Sequence, residues 1–183
     1  MKTRWLLLPI LLLAITSARP QGGGRLIENP IRKIPKWVRT EMAAKGLDER
    51  YTVLYRLYPY YLRGDFSGDG KRDAAIQVQE VSSGKVGIAV FHSKKPQAIS
   101  TPVYILGAGK PVGSAGDDLN WVNVWGTLSK STVTARLGEG APFHLGEAIH
   151  IERRDSTGGM FWWDGKKYNW LPSKTKKASK TVK

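Results

Sequence analysis

The stretch Tyr60-Tyr-Leu-Arg-Gly-Asp65-Phe-Ser-Gly-Asp-Gly70-Lys-Arg-Asp73-Ala-Ala-Ile-Gln-Val78 sets a short loop dense in oxygen-bearing side chains between two runs with strand composition. Neither flank has room for a helix, so the unit reads as strand, loop, strand. Within the loop, Asp65, Ser67, Asp69 and Asp73 fall at positions one, three, five and nine. A hard cation surrounds itself with oxygens, and side chains at alternate positions of a tight loop can supply them. Lys71, at position seven, would add its backbone carbonyl, and Gly70 permits the sharp turn between them. An EF-hand would close its shell with a glutamate at position twelve and carry helices on both sides; here position twelve is Ile76 and the flanks are strands. Asp73 is then the natural closing ligand.

The run Gly64-Asp65-Phe66-Ser67-Gly68-Asp69-Gly70-Lys71-Arg72-Asp73 resembles the calcium loops of FG-GAP and VCBS-type repeats. In those repeats the loop joins two strands. The resemblance implies one calcium ion, held by the side chains of Asp65, Ser67, Asp69 and Asp73 and by the carbonyl of Lys71. It departs from the pattern at Ser67, where an acid or amide is usual, and in occurring once, so a multi-bladed propeller is not expected. A metal-free alternative would satisfy the same carboxylates with Arg63 and Arg72. The remainder of the chain is similar to exported bacterial proteins of unknown function, a similarity that brings no activity with it.

Outward from the loop, short Val-, Ile-, Tyr- and Trp-rich segments alternate with glycine, proline and Asp-Gly signals. The predicted strands are 52–57, 60–63, 74–79, 86–92, 103–106, 121–125, 132–136, 147–152, 160–163 and 167–171. They lie too close together for helices between them. Ser82-Ser83-Gly84-Lys85 and Asp164-Gly165 read as hairpin connections, the second as a type I′ turn. Before the strands, Pro35, the stripe Trp37, Val38 and Met42, and then Gly46 predict one helix over 35–45. The expected fold is mainly β (α+β): an antiparallel, curved sheet, small barrel or sandwich, with one N-terminal helix.

The ends read differently. Lys2 and Arg4, the eleven-residue apolar run from Trp5 to Ile15, and small residues up to Ala18 have the layout of a signal peptide over 1–18. That run is short of the ~20 residues that cross a bilayer. Residues 19–33 read as a flexible leader, 34–172 as a single β-rich domain, and 173–183 as a lysine-rich disordered tail. The chain carries a formal charge of +14, and loss of Lys2 and Arg4 with the signal would leave +12. Lys174, Lys176, Lys177, Lys180 and Lys183 concentrate part of that excess, and a polyanion, nucleic acid or an anionic envelope polymer, is the partner such charge would attract. With no cysteine, an exported domain draws no stability from disulfides and depends on its core or a bound metal.

No catalytic constellation of comparable strength appears. Asp117 and Asp118, with Trp121 and Trp125, are candidates for a ligand pocket, and a glycan-acting hydrolase would use those acids, or Glu147, in a cleft lined by tryptophans. Neighbouring carboxylates more commonly cap backbone amides in a turn, and aromatic residues in strands are mostly core. His92, His144 and His150 lack zinc-ligand spacing, and Gly107-Ala-Gly109-Lys-Pro-Val-Gly113 has the wrong spacing for a dinucleotide fingerprint. The leading expectation is an exported, non-enzymatic β-rich module stabilised by one calcium ion, in the periplasm or outside the cell; the alternatives are a basic polyanion-binding protein and the hydrolase.

Overall fold

In the computed structural model, residues 33–93, 100–154 and 157–173 are described; the signal, all of the leader but Lys33 and all of the tail but Ser173 lie outside them. The elements run α1 (Lys36–Ala44), α2 (Leu47–Arg50), β1 (Tyr51–Val53), β2 (Tyr61–Gly64), β3 (Asp73–Glu80), β4 (Val86–Phe91), β5 (Val103–Gly107), β6 (Val124–Leu128), α3 (Lys130–Leu137), β7 (Ala148–Glu152), β8 (Gly158–Trp163) and β9 (Tyr168–Pro172). The strands form two antiparallel sheets. In the first, the order is β1-β3-β4-β5, with β2 also on β3; in the second it is β6-β7-β8-β9. β1 and β2 share one edge of β3, pairing with residues 78–80 and 73–76 respectively.

Period-two alternation builds the layers. Ala75 of β3, Ile88 and Val90 of β4, and Leu106 of β5 meet Ile149, Ile151, Phe161 and Trp163 of the second sheet in one buried cluster. The intervening residues Ala74, Ile76, Val78, Ala89 and Phe91 face the other way and pack under Val38 and Met42 of α1. On the far side, Ala148 and Met160 cover Val133 of α3. The fold is therefore a sandwich of two sheets with a helix on each outer face. β4, covered on both sides, is apolar throughout, as doubly buried strands tend to be, whereas β3 also carries Asp73 and Gln77 into the buried layer. Each fully buried Phe, Ile or Leu in these layers is worth about 1.5–3 kcal/mol.

Three expectations need correction. Residues 132–136 are helical, not extended: Ser129 caps α3 by accepting the Thr132 amide at 3.3 Å, and Gly138 follows its last residue. The β-branched Thr132, Val133 and Thr134 suggested a strand, yet only Val133 is buried in that helix. Ser129→Ala should cost about 1 kcal/mol, read as a fall of roughly 2–4 °C in melting temperature. The segment beginning at Trp121 is a turn, and the strand starts at Val124; Asp118 Oδ1 accepts the Asn120 amide and Val122 N–H donates to Leu119 O, which curls the chain before it can extend. The Asp164-Gly165 hairpin joins β8 to β9 as predicted, but Ala108 is the one described non-glycine residue with positive φ, so the turn is not type I′. The Asp164 carboxylate, accepting from the Lys166 and Lys167 amides, shapes it instead.

Candidate metal loop and the seam behind it

The loop leaves β2 at Gly64 and enters β3 at Asp73, which face each other in the ladder. Phe66 is wholly buried in the core between the sheets and anchors it. Its carboxylates hold the backbone. Asp65 Oδ1 and Oδ2 accept the Asp69 and Gly70 amides at 3.0 and 2.9 Å, and Asp69 Oδ1 accepts the Lys71 amide at 3.0 Å. Asp73 accepts the Ser67 amide at 2.8 Å and the Ser93 amide at 2.6 Å. Gly70 has φ +84°, the conformation expected at position six.

Arg63 and Arg72 make no ion pair with these acids among the described residues; Arg72 instead reaches Glu147 at 3.4 Å. Ser67 Oγ is buried and lies beside the Asp73 carboxyl without completing a hydrogen bond. Among the described residues no three His, Asp or Glu side chains are gathered as a finished metal cage. The donor set is nonetheless all oxygen, each carboxylate has lone pairs beyond those its amides use, and the position-three hydroxyl is unpartnered. Those features fit calcium better than a softer metal.

The segment 144–147, in which Glu147 stands 82 positions after Asp65, covers the loop. Glu147 N–H donates to Asp65 O at 2.7 Å, and Glu147 Oε2 accepts the Asp65 amide at 2.7 Å. A side chain on Gly146 would come within 2.2 Å of Asp65 O, and one on Gly68 within 2.4 Å of His144 O. The loop thus belongs to the first sheet by connection and to the second by contact. Glu147, a candidate acid from the sequence, is spent on this junction.

Behind the loop, Asp73 shares the inner face of the sheet with a buried polar pair. His92 Nε2 lies 2.7 Å from Tyr168 Oη, and the imidazole is walled by Tyr104 and Trp163 at ring separations of 4.8 and 4.9 Å. Burial pushes His92 down to about 4 and raises Tyr168 well above the ordinary phenol range, so both are neutral at pH 7. Burial likewise raises Asp73 to about 6, helped by the charge of Asp69 and opposed by the Ser93 and Ser67 amides and the nearby Ser67 hydroxyl.

These two shifts oppose each other. A depressed His92 supplies stability that is present above pH ~6.5 and lost as pH falls toward 4, worth ~3 kcal/mol. A raised Asp73 destabilises the fold above pH ~6 and releases a similar ~3 kcal/mol as pH falls from 6 to 4. In chelator, urea unfolding of the wild type should therefore change little from these groups between pH 6.5 and 4. His92→Gln should unmask Asp73 and gain stability as pH falls over that window; a variant that loses stability there would contradict the assignment.

The other candidates are not brought together. Asp117 pairs with Lys85, and Asp118 Oδ1 accepts the Val86 and Asn120 amides at 2.9 and 3.0 Å. Trp125 is core, its indole N–H donating to Pro59 O at 2.9 Å. Trp121 is half-buried beside Trp170 at a separate hollow. Asp117 and Asp118 thus lie in a turn, held by a lysine and by backbone amides, while Trp125 packs in the core and Trp121 lines a hollow with Trp170. His150 lies 3.5 Å from Glu152 on the outer face of β7, and burial holds its imidazole below the ordinary range. Lys174, Lys176, Lys177, Lys180 and Lys183 fall outside the described residues.

The fold defines the class as a mainly β protein, two antiparallel sheets with flanking helices. Neither family models, nor curated proteins, nor solved structures yield a match to this chain. No helix among the described residues is long and apolar enough to cross a membrane.

Proposed function

We propose that the protein is an exported, non-enzymatic β module whose two sheets are fastened together by a calcium ion in the 65–73 loop. One observation carries this reading: the loop that holds Asp65, Ser67 and Asp69 is pinned to Glu147, on the entry to the other sheet, through two 2.7 Å hydrogen bonds. A cation there would cancel repulsion among three carboxylates, one of them fully buried, and give the unpartnered Ser67 hydroxyl a role. Asp65, Ser67, Asp69 and Asp73 would hold the ion through side chains, and Lys71 through its carbonyl. What calcium supplies is charge neutralisation and rigidity. Thermal unfolding with calcium and with chelator, for wild type and Asp69→Ala, tests the reading. A hydrolase reading draws no support from Asp117 and Asp118, whose carboxylates are each engaged by a lysine or by backbone amides.

A further inference from the structure

β5 ends the first sheet and β9 ends the second, so each presents an unpaired edge. Where these edges come together lies an open hollow of about 980 Å³. Val103 to Leu106 of β5 and Tyr168 to Trp170 of β9 form its floor. Three separate parts of the chain place cations around it. Lys45 and Arg50 come from the α1–α2 corner, Lys110 from the turn after β5, and Lys166 and Lys167 from the β8–β9 hairpin. Among the described residues, no aspartate or glutamate contributes to the wall.

None of these five side chains is ion-paired among the described residues. The nearby Asp164, the acid of the hairpin, has turned its carboxylate to the amides of Lys166 and Lys167 and to the side-chain amide of Asn169. That arrangement fixes the turn and sets Lys166 and Lys167, both exposed, at the rim of the hollow. Like charges from three segments around one concavity repel one another and raise the local potential for an anion, with Arg50 held over the Tyr51 ring at 5.7 Å. Lysines are placed on sheet edges to discourage aggregation, but that role needs no concave floor and no contribution from a helix corner.

We propose that this hollow binds a compact multivalent oxyanion, a sugar-sized molecule bearing several phosphate or sulfate esters. Size supports this, because sites for small molecules run to about 1,000 Å³. Charge supports it too: lysine ammonium groups act as point charges toward such esters, and an anion that meets three cation-bearing segments at once gains from each.

The test is calorimetric titration of the full chain with sucrose octasulfate in calcium-containing buffer, with inositol hexakisphosphate titrated in chelator to tell phosphate from sulfate. Lys166→Gln/Lys167→Gln and, separately, Lys110→Gln should each weaken binding about tenfold or more and flatten its dependence on salt, with melting temperature unchanged. Replacing the five tail lysines by glutamine should leave it intact. The proposal is overturned if the tail variant abolishes binding while the hollow variants keep it, or if inorganic sulfate binds as tightly as the octasulfate. It is also overturned if a single strand of about 20 nucleotides binds far more tightly than a tetranucleotide, since length dependence marks a polymer site.

Discussion

Calcium at about a hundred times its dissociation constant should raise the melting temperature of the chelator-treated protein by roughly 5–10 °C. Binding to the folded state alone supplies about 2.7 kcal/mol at that excess, and a domain of this size gains about 2–4 °C per kcal/mol. Asp69→Ala should abolish the rise. Asp69 is exposed and holds only the Lys71 amide, so its loss removes a ligand while costing the metal-free fold little. Ser67→Ala should act with two signs. In chelator it removes a buried hydroxyl that has no partner and is neutral or stabilising by about 1 kcal/mol, whereas in calcium it weakens the gain. A wild-type melting temperature indifferent to calcium would end the calcium reading.

Gly146→Ala should be among the most damaging single methyl additions at the described glycines. Its Cβ would stand 2.2 Å from Asp65 O and 2.7 Å from Gly68 N, both backbone atoms that cannot swing aside. Relief requires the 144–147 segment to lift off the loop, which breaks both Glu147 hydrogen bonds and opens the inter-sheet core at Phe66. Overpacking with loss of those bonds should cost about 3 kcal/mol or more, seen as a lowered urea midpoint or as failure to accumulate folded protein. Gly126→Ala adds its methyl group where nothing lies within 4 Å and serves as the control, with a change of about 0.5 kcal/mol or less. Equal effects at the two glycines would show that the junction is not a tight one.

Much of the architecture was legible because it is local. Pro35 and Gly46 bracket α1, the Ser82 and Asp164 turns join neighbouring strands, and the alternation in β7, β8 and β9 sorts residues to two faces. The loop was legible for the same reason, since its oxygens sit within nine consecutive residues. α3 was missed although Ser129 and Gly138 were there to be read as cap and stop; β-branched composition outweighed them. The rest had no local signal. Glu147 meets Asp65 across 82 positions and His92 meets Tyr168 across 76, and the five cations of the hollow come from three stretches that only the folded sheets bring together. Trp121 and Trp125 looked equivalent by spacing, yet the turn at Asp118–Asn120 puts one outside the strand that the other belongs to.

Every strand of the first sheet precedes every strand of the second in the chain, and within each sheet the ladders join segments close in sequence. Short closures lose little chain entropy, so each half can assemble its own ladder without waiting for the other. The contacts by which the two sheets meet are those of long sequence separation, 82 positions from Asp65 to Glu147 and 76 from His92 to Tyr168. Because the loop's outer contact is made with residues 144–147, it is complete only after that meeting. A cation held there would act late, as a latch on an assembled pair and not as a seed for either half.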